Sequence, residues 1–300
     1  MSGFRCAAAA LSRDEPLTGT ASQVRAYLLV ENPGPWGTEA LRDVRLPDEV
    51  KRALRTRSAA AGVRTLLVRR HAAADPVPGI RVFAAWADPD EPWLETSTLA
   101  APEVLLDLDL DALGRGESPG LTPADEPVLC VCTHGRHDAC CAELGRPTVA
   151  ALTASHPEQT WEVSHIGGDR FAANLLVLPD GLYYGRVTPE AAPALAAAHL
   201  AGRLDLDLLR GRSGLPFPVQ VAEVAARRAV DAHGLRDVRV LSVEREGPLS
   251  VVRLDVAGTA YDVRVRRSQG EQLHRLTCRA GRDNPVPEHE VLDVRRATSG

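Results

Sequence analysis

The sequence lacks several features that would each indicate a particular class of protein. None of its apolar runs approaches the roughly 20 residues that a membrane-spanning helix requires. Its arginines and acidic residues are spread along the chain without a basic stripe, which argues against a nucleic-acid-binding protein. The apolar run near the N-terminus is shorter than the core of a secretory signal peptide. We therefore expect a cytoplasmic protein that binds neither membranes nor nucleic acids.

Aromatic residues are also scarce, at 4% of the 300 residues, and the net charge is only -5. The hydrophobic content of 44% and the charged content of 25% are ordinary for a globular chain. A chain of this length exceeds what one minimal core needs, which favours two domains or a duplicated one. Because cytosolic thiols stay reduced, clustered cysteines in such a chain indicate metal or redox chemistry more often than a structural disulfide.

Residues 129–187 contain most of the side chains that could bind a metal. Four of the six cysteines and four of the nine histidines lie there: Cys130, Cys132, Cys140, Cys141, His134, His137, His156 and His165. No other part of the sequence concentrates such residues. The remaining cysteines, Cys6 and Cys278, are isolated in the sequence, and we interpret both as structural.

The order of the predicted helices and strands indicates an α/β (α+β) fold. We divide the chain into an arm (1–22), a first unit (23–115), a second unit (127–201) and a connector with a small C-terminal unit of one helix and antiparallel strands (202–300). The second unit follows the order strand–helix–strand–strand–strand–helix, which is typical of a thioredoxin-like unit. The first repeats the beginning of this order without cysteines in its loop, so we predict tandem thioredoxin-like units, the first degenerate.

Four further local predictions depend on single patterns. The alternation of leucine and aspartate in residues 105–113 favours an edge strand or an approach loop. Thr188 and Pro189 indicate the start of a helix that ends at residue 201. Residues 273–279 are predicted as the last strand, with the final dozen residues loose. The stretch 210–213 is interpreted as a surface connector in preference to a phosphate-binding site.

Four residues form the candidate site. Eight residues separate Cys132 from Cys141, and they contain a loop and the start of a helix. His165 ends a predicted strand, and Asp169 follows an Ile-Gly-Gly loop. Two loops at the same end of a sheet would bring these groups together. The glycines allow the second loop to approach closely, because they have no Cβ atom. Cys140 and Cys141 lie about 100° apart on their helix, so only one of them can face the site.

The stretches CTHGRHDACC, WEVSHIGGDRFAANLL and GLYYGRV resemble the sucrase/ferredoxin-like family, which groups with thioredoxin-like ferredoxins. We extend the resemblance over nearly the whole chain, as far as LTCR. It implies a [2Fe–2S] cluster, in which Cys132 and Cys141 match the spaced cysteine pair and His165 matches the first ligand of the second loop. Asp169 stands where some family members have a second histidine, and the fourth ligand stays open among Asp169, Cys140, Cys130 and His137.

This resemblance implies one-electron transfer or redox sensing with an unidentified redox partner protein, in an electron carrier more than in an enzyme. A histidine ligand carries less negative charge than a thiolate and raises the reduction potential. The sequence gives no support to a sucrase activity, because it shows no paired-carboxylate site. It does not indicate an oligomeric state.

Two other functions remain open from the residues alone. A thiol-dependent redox enzyme would use Cys140 or Cys141, because a helix N-terminus lowers the pKa of a thiol, although the chain has no C-x2-C motif. A structural zinc site would use Cys132, Cys141, His165 and Asp169, because zinc accepts sulfur, nitrogen and oxygen ligands.

Overall fold

The protein is described here by a computed structural model of residues 3–71 and 78–297. The described residues form a mixed sheet of ten strands and a separate sheet of four antiparallel strands, with helices packed against both. The predicted α/β class is confirmed at this level. No helix in the described ranges is both long and apolar enough to cross a membrane.

The first half of the chain forms one side of the large sheet. Its elements are α1 (Cys6–Leu11), β1 (Ala26–Glu31), α2 (Ala40–Asp43), α3 (Asp48–Ala61), β2 (Val63–Arg69), β3 (Ile80–Trp86), β4 (Trp93–Leu99), α4 (Leu110–Gly114) and the short edge strand β5 (Thr122–Pro123). A 3₁₀ helix over Pro102–Leu106 precedes α4.

The second half continues the same sheet and then forms the smaller one. Its elements in the large sheet are β6 (Val128–Cys132), α5 (Ala139–Ser155), β7 (Thr160–Val163), β8 (Leu175–Leu178), β9 (Leu182–Tyr184), α6 (Ala192–Leu200) and β10 (Leu209–Arg212). The C-terminal part contains α7 (Phe217–Ala229), β11 (Val238–Glu246), β12 (Leu249–Val256), β13 (Thr259–His274) and β14 (Asn284–Arg296).

The two halves of the large sheet arrange their strands in the same order. In the first half β1 runs parallel to β2 and antiparallel to β3. In the second half β6 runs parallel to β7 and antiparallel to β8. The halves join through a short antiparallel pairing of β2 with β7, in which Val68 lies opposite Val163 and Arg69 opposite Glu162. Strands β2 and β7 pair only at their C-terminal ends. Because β1 runs parallel to β2 and β6 runs parallel to β7, the loops that follow β1 and β6 both lie near this junction.

Strand β6 and helix α5 form the framework of the junction. All five residues of β6 are buried, and the carboxylate of Asp138 caps α5 by accepting the N–H of Cys140. The helix continues through Pro147. Gly145 faces the end of β6 so closely that a Cβ atom there would lie 2.1 Å from the carbonyl oxygen of Cys132.

We expect Gly145→Ala to push α5 away from β6, because the obstacle is a backbone atom of a buried strand. Overpacking of this kind costs about 1–3 kcal/mol in the free energy of unfolding, which urea denaturation would measure. Gly281→Ala is the matched control, because a Cβ at Gly281 would meet nothing within 4 Å. Equal stability of the two variants would contradict the packing described here.

Three local predictions are wrong. Residues 105–113 are no strand: they run from the end of the 3₁₀ helix through a short bend into α4. Their leucines pack into the core, while their aspartates stay outside, and Asp109 caps α4. The last strand is β14 and not residues 273–279, so residues 289–296 are paired with β13 and not loose. The helix predicted from Pro189 begins at Ala192, because Thr188 to Ala191 form a separate turn.

Candidate metal centre

The four residues that the sequence predicts for the site meet at the C-terminal ends of β6 and β7. Cys132 is the last residue of β6, and Cys141 lies in the first turn of α5. The Sγ atom of Cys141 is 3.2 Å from Oδ1 of Asp169, and Nδ1 of His165 is 3.0 Å from the same oxygen. The carboxylate of Asp169 therefore connects the thiol side of the site to its imidazole side.

His137 joins this group from the loop between β6 and α5. Its Nε2 atom is 3.7 Å from Oδ2 of Asp169, and its ring centroid is 3.8 Å from that of His165. The donor atoms of His137, His165 and Asp169 all lie within 4.8 Å of one another. His137 is therefore close enough to the site to compete with Asp169 as a ligand.

The two other candidates for a fourth ligand lie elsewhere. Cys130 is completely buried in the sheet core, where burial raises the pKa of its thiol. Cys140 points away from the site, and its Sγ atom contacts that of Cys278 at 3.4 Å. As expected, only one of these two adjacent cysteines faces the site, and it is Cys141.

The two thiols have opposite pKa shifts. A hydrogen bond from Cys141 lowers the pKa of the Cys132 thiol, and the backbone N–H of His134 contributes in the same direction. The same bond, together with burial, raises the pKa of Cys141. Cys132 is therefore the more acidic of the two thiols, and the thiolate is the form in which cysteine binds metals.

The buried carboxylate of Asp169 and the partly exposed imidazole of His165 form a hydrogen-bonded pair beside these thiols. Burial by itself would raise the pKa of Asp169, but its hydrogen bond to His165 and the charge of that imidazole lower the pKa overall. Burial opposes protonation of His165, yet Asp169 raises its pKa. Burial and the neighbouring His165 lower the pKa of His137, so this imidazole keeps a free lone pair at neutral pH.

Two glycines shape the loop between His165 and Asp169. Gly167 and Gly168 both have positive φ angles, of 94° and 77°. A Cβ at Gly168 would lie 2.2 Å from Nη2 of Arg210, so only glycine fits between the loop and this guanidinium. The sequence prediction of close backbone approach in the Gly-Gly loop is confirmed.

The buried side chain of Arg210 holds the Gly-Gly loop by a hydrogen bond. Its Nη1 atom donates to the carbonyl of Gly167 at 3.0 Å and to Oδ1 of Asn174 at 2.8 Å, and Nη2 donates to the carbonyl of Thr20. The side chain is only 1% exposed, and burial lowers its pKa to about 10, so it stays charged at neutral pH. The interpretation of 210–213 as a surface connector is therefore wrong.

We expect Arg210→Met to destabilise the protein strongly. The substitution leaves the carbonyl oxygen of Gly167 and the side-chain amide oxygen of Asn174 without a hydrogen-bond donor in a buried place. Each unsatisfied group costs about 1–3 kcal/mol, so the free energy of unfolding in urea should fall by roughly 3 kcal/mol or more. Arg245→Met, at an exposed position of β11, is the control. A similar small change in both variants would show that Arg210 does not secure the loop.

A loop from the first half of the chain covers the histidine side. Nε2 of His134 is 2.6 Å from the carbonyl oxygen of Gly37, and Trp36 packs edge-on against the His134 ring. Arg69 lies over the Trp36 ring, 4.3 Å from its centroid. In the repeated order of strands, the loop 32–37 after β1 corresponds to the loop after β6. It covers His134 and contains no cysteine.

The site is asymmetric in its exposure to solvent. The thiol-bearing residues Cys132 and Cys141 are each 1% exposed. The side chains of His137 and His165 are 35% and 31% exposed. The imidazoles therefore form the edge through which the site meets the outside.

The sequence model of the sucrase/ferredoxin-like family matches residues 17–211, which is more than half of the chain and includes the whole site. The chain belongs to this family. The match ends before α7, so the C-terminal unit, Cys278 and the LTCR stretch lie outside it, as does Cys6. The extension of the resemblance to these residues stays a prediction.

Membership of the sucrase/ferredoxin-like family leaves the activity open, and no curated protein matches the sequence. Among solved structures, a serine-for-cysteine variant of the thioredoxin-like [2Fe–2S] ferredoxin from Aquifex aeolicus is 20% identical, with a TM-score of 0.26. That similarity covers 28% of this chain and 97% of the ferredoxin.

Proposed function

We propose that this protein is a ferredoxin-type redox protein that binds a [2Fe–2S] cluster through Cys132, Cys141, His165 and Asp169. The observation that supports this most is the convergence of two buried thiols with the His165–Asp169 pair where β6 and β7 end. His137 is the competing fourth ligand. In this proposal the two halves of the large sheet are tandem thioredoxin-like units, of which only the second carries ligands.

The donor atoms suit a cluster with two irons better than a single ion. The set that lies within 4.8 Å contains His137, His165 and Asp169 but neither Cys132 nor Cys141. The thiols therefore occupy one side and the imidazoles the other, as thiolate and histidine ligands do when they bind different irons of one cluster. The N–H of His134 directed at Cys132 also fits, because hydrogen bonds to ligand sulfurs tune such clusters.

Each side of the site has a separate task in this proposal. Cys132 and Cys141 anchor the group in the dry interior, and the bound cluster supplies one-electron transfer. His165 and His137 form the exposed edge, where an electron or a proton can be exchanged with the surroundings. The buried charge of Arg210, held behind the Gly-Gly loop, offsets the negative charge of the ligands. An unidentified redox partner protein would dock over the histidine edge.

A thiol enzyme is less well supported, because its nucleophile must reach a substrate as a thiolate. Cys140 is 2% exposed, and burial raises its pKa to about 11. Cys141 is equally buried, and its pKa is raised as well. Neither thiol has the accessible, electropositive surroundings that activate a cysteine.

The test is metal analysis of protein purified without oxygen, combined with its visible spectrum. We expect about two irons and two acid-labile sulfides per chain, with the absorption of a [2Fe–2S] centre. Colourless protein without iron and sulfide, even after reconstitution with ferrous iron and sulfide, would overturn the proposal. Zinc that is lost when Cys132 is replaced would instead assign a zinc site to these residues.

A further inference from the structure

Three cysteines from distant parts of the chain converge on the side of α5 that faces away from the candidate metal centre. Cys6 begins α1, Cys140 lies in the first turn of α5, and Cys278 lies between β13 and β14. The Sγ atom of Cys278 is 3.4 Å from that of Cys140 and 3.5 Å from that of Cys6. Cys6 and Cys278, which are isolated in the sequence, are therefore neighbours in the fold.

The spacing of these thiols matches the coordination sphere of one ion. With a Zn–S distance of about 2.3 Å and tetrahedral angles, two zinc-bound sulfurs lie about 3.8 Å apart. The observed distances of 3.4 and 3.5 Å are close to this value. A disulfide would require about 2.05 Å, and all three cysteines are free.

The carboxylate of Asp138 supplies an oxygen donor at the same place. Its Oδ1 atom accepts the N–H of Cys140 at 2.9 Å, and Oδ2 accepts the N–H of Cys278 at 2.6 Å. Both oxygens lie 3.6 Å from Sγ of Cys6. The two backbone bonds fix the carboxylate, while each oxygen keeps a second lone pair.

Burial of Asp138 adds an electrostatic reason for a cation here. The residue is completely buried, and within residues 3–71 and 78–297 no lysine, arginine or histidine forms a salt bridge with it. A buried carboxylate without a counter-ion is costly. A metal ion among the thiols would lie within reach of this carboxylate, because the four donor atoms are all within 4.8 Å of one another.

We propose that Cys6, Cys140, Cys278 and Asp138 form a second, structural site that binds one Zn²⁺ ion. Zinc accepts both thiolate and carboxylate ligands in a closed tetrahedral set, and it has no redox chemistry of its own. The site is separate from the proposed cluster, because it shares no ligand with it. Two of its four members lie outside residues 17–211, so the family match does not contain the complete set.

The ion would connect three parts of the chain that are far apart in the sequence. Helix α1, the start of α5 and the turn before β14 would all be ligated, so the N-terminus and the small sheet would be fixed to the second half of the large sheet. Arg275 donates to the carbonyl of Cys278 at 2.8 Å and adds positive charge beside the thiolates. Cys278 is the one partly exposed member and provides the route by which the ion enters.

The test is elemental analysis of the whole protein and of two matched pairs of variants. We expect one zinc per chain in the wild type, in Cys141→Ala and in the core control Cys130→Ala. Zinc should fall more than tenfold in Cys278→Ala and in Cys6→Ala. Reduced, metal-free wild type should also bind Co²⁺ with the absorption of a tetrahedral thiolate site, and Cys278→Ala should not.

Thermal unfolding keeps the test informative if a variant loses stability. Zn²⁺ added to the reduced, metal-free wild type should raise its Tm, while the Tm of Cys278→Ala should not change. Reduced and folded wild type that takes up neither Zn²⁺ nor Co²⁺ would overturn the proposal. Zinc that persists in Cys278→Ala but disappears in Cys141→Ala would also overturn it, because that ion would belong to the other site. Iron and sulfide contents, measured on the same samples, test the cluster independently.

Discussion

Cys141→Ala should purify as a colourless protein with iron and acid-labile sulfide reduced more than about tenfold, since loss of even an outer partner of a metal ligand costs 10–100-fold in affinity. Two contacts make this residue critical. Its thiol donates to Oδ1 of Asp169 at 3.2 Å, and its proximity lowers the pKa of the Cys132 thiol. The substitution removes one proposed ligand and also the group that stabilises the Cys132 thiolate. Iron and sulfide assays with a visible spectrum measure the effect.

Cys130→Ala is the matched control for this result. Cys130 lies on the same strand as Cys132, two residues earlier, and is completely buried in the core. Its replacement should cost about 1 kcal/mol in stability and leave iron and sulfide unchanged. If both variants lose the cluster to the same extent, the loss reflects a damaged strand β6. If neither loses it, Cys141 is not a ligand.

The convergence of Cys132, Cys141, His165 and Asp169 was predictable because it depends on local rules. Two parallel strands that are neighbours in a sheet end at the same edge, and the loops that follow them therefore meet. The CTHGRHDACC and SHIGGD stretches place the ligand-type residues directly in those loops. The positive φ angles of Gly167 and Gly168 are equally local requirements, which glycine signals in the sequence.

The contacts that the sequence did not reveal all join distant segments. Arg210 reaches under the loop of Gly167 across 43 residues, and Cys278 reaches Cys6 across 272. A surface arginine and a buried one look the same in a sequence, because only the neighbours that fold around them differ. The position of the loop 32–37 over His134 depends on how the two halves of the sheet pair, and no single motif encodes that pairing.

Replacement of Asp169 should have the second large effect, and it should depend on which residue is introduced. Asp169→Ala removes both the oxygen that touches Cys141 and the partner of His165, so we expect loss of iron and sulfide. Asp169→His places an imidazole four residues after His165 and should retain the cluster. A neutral ligand in place of a carboxylate should also raise the reduction potential, which a spectroscopic redox titration would measure.

His137→Ala decides between the two candidates for the fourth ligand. If Asp169 is the ligand, this variant keeps its iron and sulfide, because His137 touches the site only through Oδ2 of Asp169 at 3.7 Å and through the ring of His165. Loss of the cluster in His137→Ala together with its retention in Asp169→Ala would assign the position to His137. Asp169 would then serve to orient the two imidazoles, since its two oxygens face one histidine each.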